Sequence, residues 1–279
     1  MKTVSLNRSH GGVQGVYTHT SSACNCDMTF SVFSPPQADT QSCPVLYYLS
    51  GLTCTHANVT EKGEFRQIAA ELGLIIVCPD TSPRGDNVPD DEQYYFGQAA
   101  GYYLDATEAP YATHYNMYSY VTGELPELVS QNFNADMDRQ SVFGHSMGGH
   151  GAMVLALRNP GKYKSVSAFA PMCAPSQIEW GEYAFSRFLG TNRETWQAYD
   201  TVALINSGSR LPELLVDVGT ADQFLESGIR PGLLKKACDE TGIDLTLRMQ
   251  DGYDHSYYFI STFMNDHLAW HAQRLGLTD

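Results

Sequence analysis

Residues 141–152 read SVFGHSMGGHGA. Within them Gly144-His145-Ser146-Met147-Gly148 forms a G-x-S-x-G pattern. Apolar and β-branched residues precede it and predict a strand over 141–144. The run AMVLALR follows and predicts a helix over 150–158. A strand, a sharp turn and a helix in that order make a nucleophile elbow, which lifts the Ser146 hydroxyl off the backbone and aims it at a base. Small residues at 144 and 148 let the strand and the helix approach closely.

Working outward, the first forty residues carry short alternating runs such as MTFSVF (28–33), broken by Gly-Gly and Pro-Pro. These predict antiparallel strands at one edge of a sheet. Buried strands are expected at 45–50 (VLYYLS), 74–79 (LIIVCP), 165–170, 214–218 and 245–249 (LTLRM). Helices are expected at 64–72, 118–132 and from about Tyr257 to beyond Trp270. Buried strands alternating with helices predict an α/β chain, a mostly parallel sheet with helices on both faces. Its ligands would bind at the carboxyl ends of the strands. Residues 80–118 and the aromatic stretch 171–190 read as long functional excursions. With no repeat, linker or low-complexity segment, residues 1–279 are expected to form one domain.

The chain has 279 residues, 43% of them hydrophobic, and a formal net charge of -14. Such acidity argues against nucleic acid and anionic membranes as partners. No apolar run is long enough to span a bilayer, and the start, MKTVSLNRSHGG, lacks the apolar core of a secretory signal. Seven scattered cysteines fit reduced thiols in the cytoplasm. Cys24-Asn25-Cys26 has no second ligand pair at zinc spacing, so no metal is expected.

Ser146 needs a base. Among nine histidines, His255 follows the last expected strand in QDGYDHS (250–256) and precedes the final helix. It therefore belongs at the carboxyl edge of the sheet. His267 and His271 are one helical turn apart and share a helix face, while His145 and His150 flank the nucleophile and pack or line the pocket. The acid that orients the base should follow a strand between serine and histidine. In LLVDVGTAD (214–222), Asp222 lies just beyond the strand, whereas Asp217 lies inside it and faces a packed helix. Asp254 is too close to His255 in sequence to clamp it. Two backbone N–H groups should hold the oxyanion, those of Met147 and of Leu52 in the loop Ser50-Gly51-Leu52-Thr53-Cys54.

With those residues placed, the chain resembles the S-formylglutathione hydrolase family over nearly its whole length. The resemblance rests on YYLSGLTCTHANVTEKGEFRQIAAELGLIIVCPDTSPRG (47–85), GYYLDATEAPY (101–111) with YNMYSYVTGELPELV (115–129), GHSMGGHGA (144–152) and DGYDHSYYFISTF (251–263). It implies the α/β-hydrolase fold and a cytoplasmic thioester hydrolase of formaldehyde detoxification. Such an enzyme releases formate and glutathione from S-formylglutathione with no cofactor, and is commonly a homodimer. Matching motif to motif puts the triad at Ser146, Asp222 and His255, the assignment already reached from topology.

The resemblance also marks Cys54 beside the oxyanion loop and Trp180 near the acyl pocket. Around Trp180 this chain carries Glu179 where the family pattern has proline and Tyr183 where it has lysine. That leaves Lys62 and Arg84 as the cations expected to meet the glutathione carboxylates. Trp180 and the aromatic loop around Tyr102 and Tyr103 are expected to close the acyl side tightly around a formyl group. The rival readings are a broad carboxylesterase on small acyl esters and a hydrolase-fold binding module that has lost catalysis. The second conflicts with an intact triad.

Overall fold

The computed structural model describes residues 1–278. Its frame is a nine-stranded sheet of order β1-β2-β3-β5-β4-β6-β7-β8-β9. Three strands, β1 (Lys2–Ser9), β2 (Gly12–Ser21) and β3 (Cys26–Ser34), run antiparallel and lead into β5 (Ile75–Pro79), also antiparallel to β3. From β5 across β4 (Cys43–Leu49), β6 (Ala135–His145), β7 (Val166–Phe169), β8 (Glu213–Gly219) and β9 (Asp244–Gln250), every pairing is parallel. The expected α/β-hydrolase architecture is thus present, antiparallel edge included.

Burial follows from the crossovers. β4, β5 and β7 are buried at every residue, which is why they read as unbroken apolar runs. On β7, Ser167 bonds to His267 and His271 of the C-terminal helix (Tyr257–Arg274). Its neighbour Ala168 faces the elbow helix (Met147–Arg158), where a Cβ added at Gly149 would lie 3.2 Å from its own. Adjacent strand residues point to opposite faces, so these two helices cover the two sides of the sheet.

The sheet order changes direction at β4. β5 lies on one side of it and β6 on the other, so a crevice opens beyond the carboxyl ends of β4 and β6. The chain leaves β4 into the loop 50–54 and leaves β6 into Ser146.

Several elements differ from the sequence expectation. The elbow helix starts at Met147 and not at His150, because the turn consumes only Ser146 and the His150 N–H already donates to the Ser146 carbonyl at 3.0 Å. A helix over His56–Lys62 was not foreseen. Its capping box uses Thr55 with Asn58 in place of the usual Glu or Gln. The stretch 171–190 is not an extended excursion, since Glu179–Phe188 is helical.

Candidate active site

The G-x-S-x-G glycines have a steric cause. A Cβ at Gly148 would lie 2.0 Å from the Leu49 carbonyl oxygen, and one at Gly144 would lie 2.5 Å from the Gly148 oxygen. Only glycine lets β4, β6 and the elbow helix converge there. Between them Ser146 is held at φ 58°, ψ -119°. For a residue with a Cβ this is strained backbone, worth on the order of 1–3 kcal/mol, and it is kept because the surrounding packing allows no alternative.

Asp222 stands three residues beyond β8 with its side chain fully buried. One carboxylate oxygen accepts the Phe224 N–H at 2.8 Å, and the other accepts His255 Nδ1–H at 2.5 Å. That bond fixes the His255 tautomer, leaving Nε2 as the free, basic nitrogen. The imidazole is enclosed by rings. His145 packs 4.4 Å away and Phe224 meets it edge-on at 5.0 Å.

His145 itself is buried, with neither ring nitrogen bonded. Burial, then the neighbouring His255, drives its pKa well below the ordinary imidazole value, so it stays neutral. Asp217, the alternative acid, is committed elsewhere. It takes a two-pronged bond from Arg248 at 2.5 and 2.7 Å and faces His267 Nε2 at 3.6 Å. Burial pushes its carboxyl up, but the facing His267 and the bonds from Arg248 outweigh that and hold it below the usual range.

The loop after β4 is pinned at both ends. Tyr103 Oη donates to the Ser50 carbonyl at 2.9 Å, while Thr81 Oγ1 and Arg84 Nη2 donate to the Cys54 carbonyl at 2.6 and 3.0 Å. A Cβ at Gly51 would lie 3.0 Å from Ser146 Cβ, so loop and elbow touch only because residue 51 is glycine. Among the described residues, the N–H groups of Leu52 and Met147 have no acceptor. Met147 opens a twelve-residue helix, whose dipole adds positive potential at that donor.

A cavity of about 270 Å³ lies over these groups. Leu52, Cys54, Ser146, Trp180 and His255 line it together with His145, Phe224, Tyr94 and Tyr257, and among the described residues no Asp, Glu, Lys or Arg does. Cys54 is half-buried. Burial pushes its thiol up, and the charge of Lys62 offsets only part of that.

Four expected contributors lie elsewhere. Arg84 is bonded to Asp80 at 2.9 and 3.0 Å and braces the loop 50–54 through the Cys54 carbonyl. Lys62 lines an adjoining groove. Tyr102 and Tyr103, expected to wall the acyl side, are core residues. Tyr102 Oη donates to the Tyr95 carbonyl, and Tyr103 packs on Gly151. Tyr94 and Phe224 line the cavity where those two do not. Phe224 was missed although it stands two residues after Asp222, the one available hint.

The Esterase family model matches residues 21–272. The S-formylglutathione hydrolase of Bos taurus is 52% identical over 280 residues, 99% of each chain, and that of Paracoccus denitrificans 50% identical over 99% of this chain and 98% of its own. The solved S-formylglutathione hydrolase of Agrobacterium tumefaciens superposes with a TM-score of 0.98 at 59% identity, over 99% of this chain and 100% of that one.

This chain belongs to the S-formylglutathione hydrolase family.

Family membership accounts for the full-length match and for the fold. A Staphylococcus aureus serine hydrolase at 17% identity and a TM-score of 0.73 shares the fold alone. No helix among the described residues is long and apolar enough to cross a membrane.

Proposed function

We propose that this S-formylglutathione hydrolase family member cleaves S-formylglutathione to formate and glutathione through a formyl ester on Ser146. The observation that carries the reading is the shared cavity. It holds a strained serine, a histidine whose other nitrogen is tied to a buried carboxylate, and the Leu52 backbone donor without an acceptor, with the free Met147 N–H next to Ser146 in the chain.

His255 Nε2 takes the Ser146 proton as Oγ attacks the thioester carbonyl. The N–H groups of Leu52 and Met147 receive the developing oxyanion, and Asp222 stabilises the imidazolium. Collapse breaks the C–S bond, and His255 returns its proton to the departing sulfur. Water, deprotonated by the same nitrogen, then attacks the formyl ester and frees Ser146. The residues present complete the cycle without a cofactor. Thioesters have weak carbonyl resonance, so two donors and one base meet the chemical demand.

The reading extends to formaldehyde detoxification in the cytoplasm and to a homodimer, both supported by family membership. Its test compares kcat/KM for S-formylglutathione with that for p-nitrophenyl acetate. The thioester should be preferred by at least about tenfold, as expected when remote binding energy serves the reacting centre. Preference for the simple ester would favour a general carboxylesterase.

A further inference from the structure

An extended tripeptide spans roughly 10 Å, and the catalytic cavity measures only about 270 Å³. A glutathione chain of that length reaches from the acyl site to a depression beside the cavity. Of the neighbouring depressions, one shares a wall with the catalytic cavity. Tyr257 lines both the cavity and a groove of about 590 Å³ bounded by Glu61, Lys62, Glu64, Ser256, Tyr258 and Ser261. The groove lies between the end of the His56–Lys62 helix and the start of the C-terminal helix.

Lys62, Glu61 and Glu64 are all exposed, and none has an ion-pair partner among the described residues. An unpaired cation flanked by two unpaired carboxylates complements a group carrying an anion and a cation on one carbon. Tyr258, 85% exposed, offers an apolar wall beside them. Lys62 also lies close enough to the catalytic cavity for its charge to act on the Cys54 thiol.

We infer that this groove binds the zwitterionic α-amino-acid end of a γ-glutamyl thiol, with Lys62 on the carboxylate and Glu61 and Glu64 around the ammonium. The inference rests on the glutathione-thioester reading above and adds where the leaving thiol is held. The γ-glutamyl arm passes Tyr257 on its way from the sulfur to the groove.

The test pairs two substrates, S-formylglutathione and S-formyl-cysteinylglycine, which lacks the γ-glutamyl group, with wild type, Lys62→Gln and Glu61→Gln/Glu64→Gln. Wild type should favour the full substrate by about fivefold to tenfold in kcat/KM, mainly through KM, the scale of one exposed charge-assisted contact. In Lys62→Gln the two substrates should converge, and added salt should shrink the wild-type preference. The double glutamate variant should lose a smaller part of it. Equal wild-type turnover of both substrates, or a Lys62→Gln preference equal to wild type, would overturn the subsite while leaving the hydrolase reading intact. Failure of wild type to cleave either thioester would overturn both.

Discussion

A Cβ built on Gly228 would lie 2.7 Å from Cη2 of Trp180, so the indole rests directly on glycine backbone. Its other side meets Phe224 edge-on at 5.4 Å, and Phe224 in turn meets His255 at 5.0 Å. One packed series of rings thus joins the pocket wall to His255, the proposed base.

Acyl preference should follow from that wall. Overlap with a rigid wall costs more than a missing methylene gains, so kcat/KM should fall on the order of tenfold from formyl to acetyl glutathione, and further for butyryl. Trp180→Ala should flatten the series. Gly228→Ala should also disturb it, since its methyl group displaces the indole. A wild-type series that peaks at butyryl would contradict a tight wall.

Asp222 and Asp217 should separate by kind of damage. Asp222→Asn leaves the fold standing but cannot hold the required His255 tautomer, so kcat should drop about 10³- to 10⁴-fold. Asp217→Asn breaks the paired bonds from Arg248 and should cost about 2–4 kcal/mol of stability while sparing the chemistry. Urea midpoints and kcat on the same preparations check this. The reverse pattern would move the orienting acid to Asp217.

Cys54 should respond to thiol reagents slowly and through bulk. Its thiol is shifted up by burial, which lowers the reactive thiolate fraction. It and Cys26 are the two half-buried cysteines among seven free ones, so alkylation at mild pH should map to these two by mass. Cys54→Ser should stay active and resist inhibition. Loss of activity in a folded Cys54→Ser would give the thiol a chemical role.

Stability should fall on acidification before any carboxylate titrates. Burial lowers the pKa of His267, sends His145 and His271 further down, and takes His150 to about 4. Below an unfolded value of about 6.5 the unfolded chain binds protons that the folded chain refuses. Stability is therefore full above about pH 6.5 and declines below it, by about 1.4 kcal/mol per pH unit for each such histidine. Thermal midpoints at pH 7.5, 6.5 and 5.5 check the slope. His271, bonded through both nitrogens to Ser165 and Ser167, is one source, so His271→Gln should make the decline shallower. A flat profile down to pH 5 would contradict neutral burial.

The parts legible in sequence were those where steric or chemical necessity is local. Gly144, Ser146 and Gly148 announce the elbow because nothing but glycine fits beside Leu49 and Gly148. Asp222 and His255 were read from their places after the ends of β8 and β9, and the structure brings the two into contact at 2.5 Å. What stayed hidden depends on contacts between distant segments. Arg84 reads as a free loop cation, yet Asp80 and the Cys54 carbonyl occupy it. Tyr102 and Tyr103 read as pocket aromatics, yet their hydroxyls serve carbonyls at Tyr95 and Ser50. The helix over Glu179–Phe188 was masked by its aromatic residues, which have low helical preference and gain their place by packing.

The most direct test is turnover of S-formylglutathione by wild type and Ser146→Ala, with the acylated wild-type enzyme trapped and mapped by mass. Wild type should carry a formyl mass on the peptide containing Ser146. Ser146→Ala should fold normally and lose on the order of 10⁴-fold or more in kcat. A variant retaining over about a tenth of wild-type turnover, far above the residual rate left by a missing nucleophile, would contradict Ser146 as the nucleophile and with it the proposed mechanism.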